Sequence, residues 1–144
     1  MTYDPTATYR STQVASSSPA ARIVLLYQGA IRFGSQHLSA LECGDGNGAH
    51  YASIRCQAIV AGLQEALDLS AGPLAFQLDQ LYGFVLRRLV EGNLTRKAAP
   101  TEEALAVLRG LLGTWQEIAC LPVVSAGPMR QLRPAAGVMG TALS

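Results

Sequence analysis

From Ser18 to Leu41 the chain keeps a helical period, and no other stretch constrains the fold as much. Ile23, Leu26, Tyr27, Ala30, Ile31, Leu38 and Leu41 recur at helical spacing, so they share one face of a helix. The start is marked just as clearly. The Ser18 hydroxyl can accept a hydrogen bond from an orphan N–H of the first turn, and Pro19 has no N–H to orphan. Gly44-Asp-Gly-Asn-Gly48 then ends the pattern, because a glycine-rich turn lets the chain reverse tightly. A helix this long with one apolar face requires further apolar faces to bury it.

Three more helical stretches follow. Tyr51, Ile54, Ala58, Ile59, Leu63, Ala66 and Leu67 form the stripe of a second helix, from about Ala49 to Leu69. Ser70-Ala-Gly-Pro73 breaks the chain, and Pro73 suits a helix start. Leu74, Leu78, Leu81, Tyr82, Val85, Leu86 and Leu89 mark a third helix that reaches about Thr95. Ala98-Ala-Pro100 breaks it. Thr101 is the expected cap of a fourth helix, with Glu102 and Glu103 in its first turn, where the helix dipole favours acids. Leu105, Leu108, Leu111, Leu112, Trp115 and Ile118 form its stripe. No stretch alternates like a strand. Four such helices joined by short breaks predict an all-α fold, an antiparallel up-down-up-down four-helix bundle.

The bundle occupies residues 18–120 of a 144-residue chain, a length that suits one domain with a real core. Residues 1–17 are rich in Thr, Ser and Ala, punctuated by Tyr3 and Tyr9, and read as a flexible N-terminal arm. Residues 121–144 hold several Pro and Gly and no acid, and read as a disordered or loosely draped tail, weakly basic through Arg130 and Arg133.

Charge and composition exclude several functions. A net charge of +1 does not suit nucleic acid as the main partner, which requires a basic patch. The apolar run Ile23 to Tyr27 is too short to span a bilayer, so no membrane insertion is expected. The N-terminus shows no basic and apolar signal regions, which points to the cytoplasm. Among the basic residues only Lys97 is not Arg, which favours stacked or bidentate contacts.

Catalytic and metal chemistry lack their residues. Cys43, Cys56 and Cys120 are too few and too far apart for a disulfide framework. His37, Cys43, His50 and Cys56 are zinc-type ligands, but no short Cys-x-x-Cys knuckle joins them, and ordinary structural roles are expected. A di-iron bundle would need Glu-x-x-His pairs, and the chain has none. No nucleophile and base stand at a telling spacing, so neither an enzyme nor a cofactor is expected. Binding is the remaining class. Bundles accept amphipathic helices in the grooves between their own. Tyr27 and Tyr82 each offer an apolar ring with one polar tip, suited to the rim of such a groove, and each is followed by arginine: Arg32 in one case, Arg87 and Arg88 in the other.

The residues go further than the pattern. Val14-Ala-Ser16-Ser-Ser18-Pro19, followed by Leu25-Leu26-Tyr27-Gln-Gly29-Ala30-Ile31-Arg-Phe33, resembles the start of FliS-type flagellin export chaperones. Those chains carry Val-x-Thr-Ala-Ser-Pro and then a Leu-Tyr-Asp-Gly-Ala-Ile helix. Arg55-Cys-Gln-Ala-Ile59-Val-Ala-Gly-Leu63 resembles their second helix. Leu78-Asp-Gln-Leu81-Tyr82 through Arg87-Arg88-Leu89 to Asn93 is similar to their third, and Leu111 through Trp115-Gln-Glu-Ile118 to the end of their fourth. The resemblance runs from about Tyr9 to Ile118. It departs at Ser16-Ser17, which replace Thr-Ala, at Arg22, which replaces a common Leu, and at Gln28, which replaces Asp. Gly34 and Gly92 stand where larger residues are common, at about 1 kcal/mol each relative to Ala in a helix.

The resemblance implies a cytoplasmic chaperone that binds the disordered C-terminal segment of flagellin. It would block premature polymerisation and keep the subunit competent for flagellar type III export, with components of the export apparatus as further partners. The implied client surface lies near Tyr27, Ile31 and Tyr82, with Arg87 and Arg88 steering. Tyr9 and Val14 on the arm would cover an apolar groove when no client is present. A free monomer or weak dimer is expected. The alternative is a homo-oligomerising structural bundle whose grooves bury against a second copy and which has no flagellin client.

Overall fold

The computed structural model describes residues 18–121, and these form four helices. They are α1 (Pro19–Cys43), α2 (Gly46–Glu65), α3 (Pro73–Thr95) and α4 (Ala98–Ala119), with a 3₁₀ turn over Leu69–Ala71 between α2 and α3. Each helix packs on its neighbours in sequence, and α1 also packs on α4. Gln64 bonds Asp79 while His50 bonds Asn93, so α2 and α3 run antiparallel. Among the described residues no strand forms. The arm, with Tyr9 and Val14, and residues 122–144 of the tail lie outside the described residues.

The helix starts follow local chemistry. Ser18 is the N-cap of α1 and its Oγ accepts from the Ala21 amide at 3.1 Å, with Pro19 in the first helical position. Gly44 closes α1 in the left-handed region at φ 76°, a conformation glycine reaches without strain. One residue then completes the reversal. Asp45 caps α2 by accepting from the Gly48 amide at 2.9 Å, so α2 begins at Gly46, before the expected Ala49. At its other end α2 stops at Glu65 and not Leu69. Asp68 draws the Ser70 amide and hydroxyl to its carboxylate at 3.1 and 2.6 Å and winds the 3₁₀ turn instead.

The start of α4 also differs from expectation. It begins at Ala98, with Lys97 as a cap that gives no side-chain bond. Pro100 sits inside the first turn, where its missing N–H is one of the four that have no helical partner anyway. Thr101 is therefore not a cap but a buried helical residue, and Glu102 and Glu103 lie beyond the first turn.

The core contains Ile23, Tyr27, Ala30, Cys56, Val60, Leu63, Leu78, Tyr82, Val85, Leu89, Leu105, Leu108 and Trp115. Some residues of the expected stripes lie outside it. Tyr51, Ile54, Leu74 and Leu81 are 56%, 44%, 55% and 37% exposed. In the first half of α2 the inward positions are taken by small residues, Ala49, Ala52, Ser53 and Cys56, with Tyr51 and Ile54 left outside, and large residues turn inward only from Val60 and Leu63 onward. The packing of α4 is close in the same way. A Cβ on Gly34 would stand 2.5 Å from Leu105 Cδ2, and one on Gly92 would run into Thr101 Oγ1 and come within 3.2 Å of its amide.

Candidate functional site

The two tyrosines expected at a groove rim lie in the core instead. Tyr27 on α1 and Tyr82 on α3 are wholly buried. Their hydroxyls bond each other at 2.6 Å across the bundle, and their rings are tilted by 56° with centroids 6.3 Å apart. The physical reason is satisfaction. A tyrosine can be buried if its hydroxyl finds a partner, and each supplies the other's. Burial raises the pKa of Tyr27, an effect lessened by its bonds to Tyr82 and Trp115. Burial also raises that of Tyr82, and the neighbouring Tyr27 raises it further. The pair is a neutral clasp between diagonal helices and presents no surface.

What faces outward is apolar surface on the flanks. Along α3, Leu86, Val90 and Leu94 stand one turn apart on a single row. Leu86 is half-buried, Val90 is 39% exposed and Leu94 is 76% exposed. With Arg87, Glu91 and Thr95 they line a shallow hollow. The antiparallel register set by Gln64 with Asp79 and His50 with Asn93 brings exposed Ile54 of α2 level with Val90. The outer flank of α3 thus carries a shallow apolar hollow, with exposed Ile54 at the same level on the neighbouring helix. Sequence periodicity assigned Ile54 and Leu86 to the core and passed over Val90 and Leu94. The signal that could have found them is the four-residue row Leu86, Val90, Leu94, offset from the buried row Leu78, Tyr82, Val85, Leu89.

The remaining candidates occupy different settings. Arg87 lines the hollow and is exposed. Arg88 is engaged with carboxylates, its Nη1 2.6 Å from Glu91 Oε1 and its Nε 3.0 Å from Glu103 Oε1, and so ties α3 to α4. Ile31 is half-buried and packs against the core. The structure thus brings Tyr27 and Tyr82 together, sets Arg87 in the hollow, and leaves Ile31 apart from it.

The potential zinc ligands are dispersed. His37 is buried, and its Nδ1 donates to the Ala49 carbonyl at 2.9 Å. His50 bonds Asn93, Cys43 is exposed, and Cys56 is buried with its thiol pushed up to about 12, chiefly by burial. Among the described residues, no three His, Cys, Asp or Glu side chains are grouped to hold a metal ion. No helix among them is long and apolar enough to cross a membrane.

Comparison with known proteins accords with the earlier resemblance. Residues 2–121 match the family model described as flagellar protein FliS. The chain is 33% identical over 107 residues to flagellar secretion chaperone FliSB of Pseudomonas aeruginosa, covering 74% of this chain and 85% of that one. It is 31% identical over 111 residues to flagellar secretion chaperone FliS of Campylobacter jejuni, covering 76% and 87%. Against flagellar secretion chaperone FliS of Salmonella typhimurium it is 32% identical over 107 residues, covering 73% and 79%.

Proposed function

We propose, because this chain belongs to the FliS family of flagellar proteins, that it is an export chaperone for flagellin. It holds the C-terminal segment of newly made flagellin in the cytoplasm, prevents premature polymerisation and keeps the subunit competent for flagellar type III export. The relatives named as flagellar secretion chaperones support the role. The observation that carries the binding surface is the apolar row of Leu86, Val90 and Leu94 lining the hollow on α3, with exposed Ile54 level with it on α2, beside a closed core.

Such a surface suits a client that is disordered until bound. An amphipathic helical piece of the client would lay its apolar face on the row of α3. Apolar burial contributes roughly 25 cal/mol per Å², and ordering the client offsets much of it, so several pieces must wrap the bundle for firm binding. Arg87 at the edge of the hollow would steer acidic positions of the client. Tyr27 and Tyr82 act here as positioning residues that fix the helices carrying this surface. The arm, with Tyr9 and Val14, would cover an apolar groove in the free protein and give way to the client. Release requires no nucleotide, because the export machinery can draw the client away.

Co-purification tests the proposal. Full-length flagellin should be retained in a one-to-one complex, and flagellin lacking its C-terminal segment should not. Equal retention of both would sink it. A stable homodimer indifferent to flagellin would instead support a structural oligomerisation bundle, which would bury the same surface against a second copy.

A further inference from the structure

Arg32 and Arg55 stand level with each other on the outer face of α1 and α2. A Cβ on Gly29 of α1 would lie 3.4 Å from Ile59 Cδ1 of α2 and 3.8 Å from Arg32 Nη2, so the Arg32 guanidinium reaches back to the place where the two helices touch. Arg55 precedes Ile59 by one turn of α2. The helices run antiparallel, since His37 bonds Ala49 further along. Stepping from Gly29 to Arg32 and from Ile59 to Arg55 therefore moves the same way along the bundle. The two arginines are neighbours on helices whose axes lie about 8–10 Å apart. Both are exposed.

Their surroundings order these side chains without neutralising them. The Arg32 Cζ lies 5.7 Å from the centre of the Phe33 ring, and the Arg55 Cζ lies 5.0 Å from that of Tyr51, whose hydroxyl accepts from Arg55 Nε at 3.1 Å. Stacking restrains a guanidinium and keeps N–H donors for a further acceptor. The positions four residues away, Gln28 and Gln36 for Arg32, Tyr51 and Ile59 for Arg55, hold no acid. Among the described residues the ion pairs join Arg88 to Glu91 and Glu103, in the other half of the bundle. From Pro19 to Leu41 and from Gly46 to Gln64 there is no Asp or Glu, whereas Asp79, Glu91, Glu102, Glu103 and Glu117 stand along α3 and α4. The middle of the α1–α2 face thus carries positive charge that nothing on those helices balances.

We propose that this face docks an acidic peptide segment of a partner protein, with Arg32 and Arg55 each taking one carboxylate through paired N–H donors. Charge complementarity identifies the occupant. Two arginines form too small a basic patch to hold a nucleic-acid backbone. Beside them Tyr51 and Ile54, 56% and 44% exposed, offer the apolar contact that a peptide side chain can use. Outside the described residues the chain's only acidic side chain is Asp4, so a pair of them must come from another molecule. The hollow for flagellin lies on α3, so this docking is independent of how flagellin is held.

Nuclear magnetic resonance of the full-length chain tests it, read at the arginine Nε–H and backbone amide signals. The probes are a helical peptide with glutamates four residues apart and the same peptide with glutamines. The Glu peptide should shift Arg32, Arg55 and residues 29–36 and 51–59 to saturation, and the Gln peptide should not. Raising salt from about 50 to 200 mM should weaken the binding. Arg32→Gln/Arg55→Gln should weaken it about tenfold or more, whereas Arg109→Gln, at an exposed position on α4, should leave it unchanged. Arg32→Lys/Arg55→Lys keeps both charges, should lose part of the affinity, and keeps the test open if the neutral variant folds poorly. A chain loaded with flagellin C-terminal peptide should bind the Glu peptide equally well. No shift at these residues, or equal weakening by Arg109→Gln, would overturn the proposal. So would tighter binding of an oligonucleotide of the same charge, which would make the face a polyanion site. The same shifts on concentrating the chain alone would overturn it in favour of a second copy, and competition by the flagellin peptide in favour of the client.

Discussion

Tyr27 and Tyr82 stand 55 positions apart in sequence and share one 2.6 Å hydrogen bond at the centre of the bundle. Each hydroxyl is buried, and each is the other's partner. Removing one by Tyr27→Phe or Tyr82→Phe leaves the other without that bond, so each single variant should lose about 1–3 kcal/mol in denaturant unfolding. The double variant should lose clearly less than the sum, since no hydroxyl then remains to be satisfied. Additive losses would mean the two hydroxyls do not depend on each other.

Alkaline stability follows from the same pair. Tyr27 and Tyr82 hold their protons above the ordinary value of 10.0, mainly because burial penalises the phenolate, and Cys56 holds its own from 9.0 up to about 12. In the unfolded chain these protons leave at the ordinary values. From about pH 9 upward the folded state therefore binds more protons than the unfolded state, and stability falls as pH rises. Each retained proton steepens the fall by about 1.4 kcal/mol per pH unit. Thermal melts between pH 8 and 11 should show this slope, and it should be shallower in the double Phe variant.

Glycines in the helices should respond with opposite signs. Gly92→Ala gains about 1 kcal/mol of helix propensity but drives a methyl group into Thr101, so a net loss of about 1–2 kcal/mol is expected. Gly113 on α4 has open space around it, and Gly113→Ala should gain roughly 0.5–1 kcal/mol. Thr101 Oγ1 is buried without a partner, so Thr101→Val should leave the melting temperature unchanged or raise it.

The adjacent arginines should separate binding from stability. Arg87→Glu reverses a charge in the hollow and should weaken flagellin binding with little change in melting temperature. Arg88→Ala removes the link to Glu91 and Glu103, partly solvated pairs, and should lower stability by about 0.5–1 kcal/mol with little change in affinity. Binding assays and melts on the two variants check the division.

Much of the fold was legible because caps and helical periods are local. Ser18, Pro19, Gly44 and Pro73 mark boundaries through their own chemistry, and the structure uses each as expected. Thr101 misled because a cap is judged from its neighbours, whereas Pro100 is tolerated anywhere in a first turn. Gly34 and Gly92 looked like unexplained losses of helix propensity, since the closeness of α4 is a tertiary fact. The hollow was the least legible part. A leucine at helical spacing reads as core whichever helix flank it occupies, and the way α3 is turned about its own axis decides that Leu94 is outside and Tyr82 inside.

Titration calorimetry of a flagellin C-terminal peptide into the full chain and into its Val90→Lys/Leu94→Lys variant tests the central claim most directly. The full chain should bind one peptide per molecule with a negative heat-capacity change. The variant, with unchanged melting temperature, should bind at least about tenfold more weakly, a difference of about 1.4 kcal/mol. No binding by the full chain, or equal affinity in the two proteins, would contradict the claim that this surface holds flagellin.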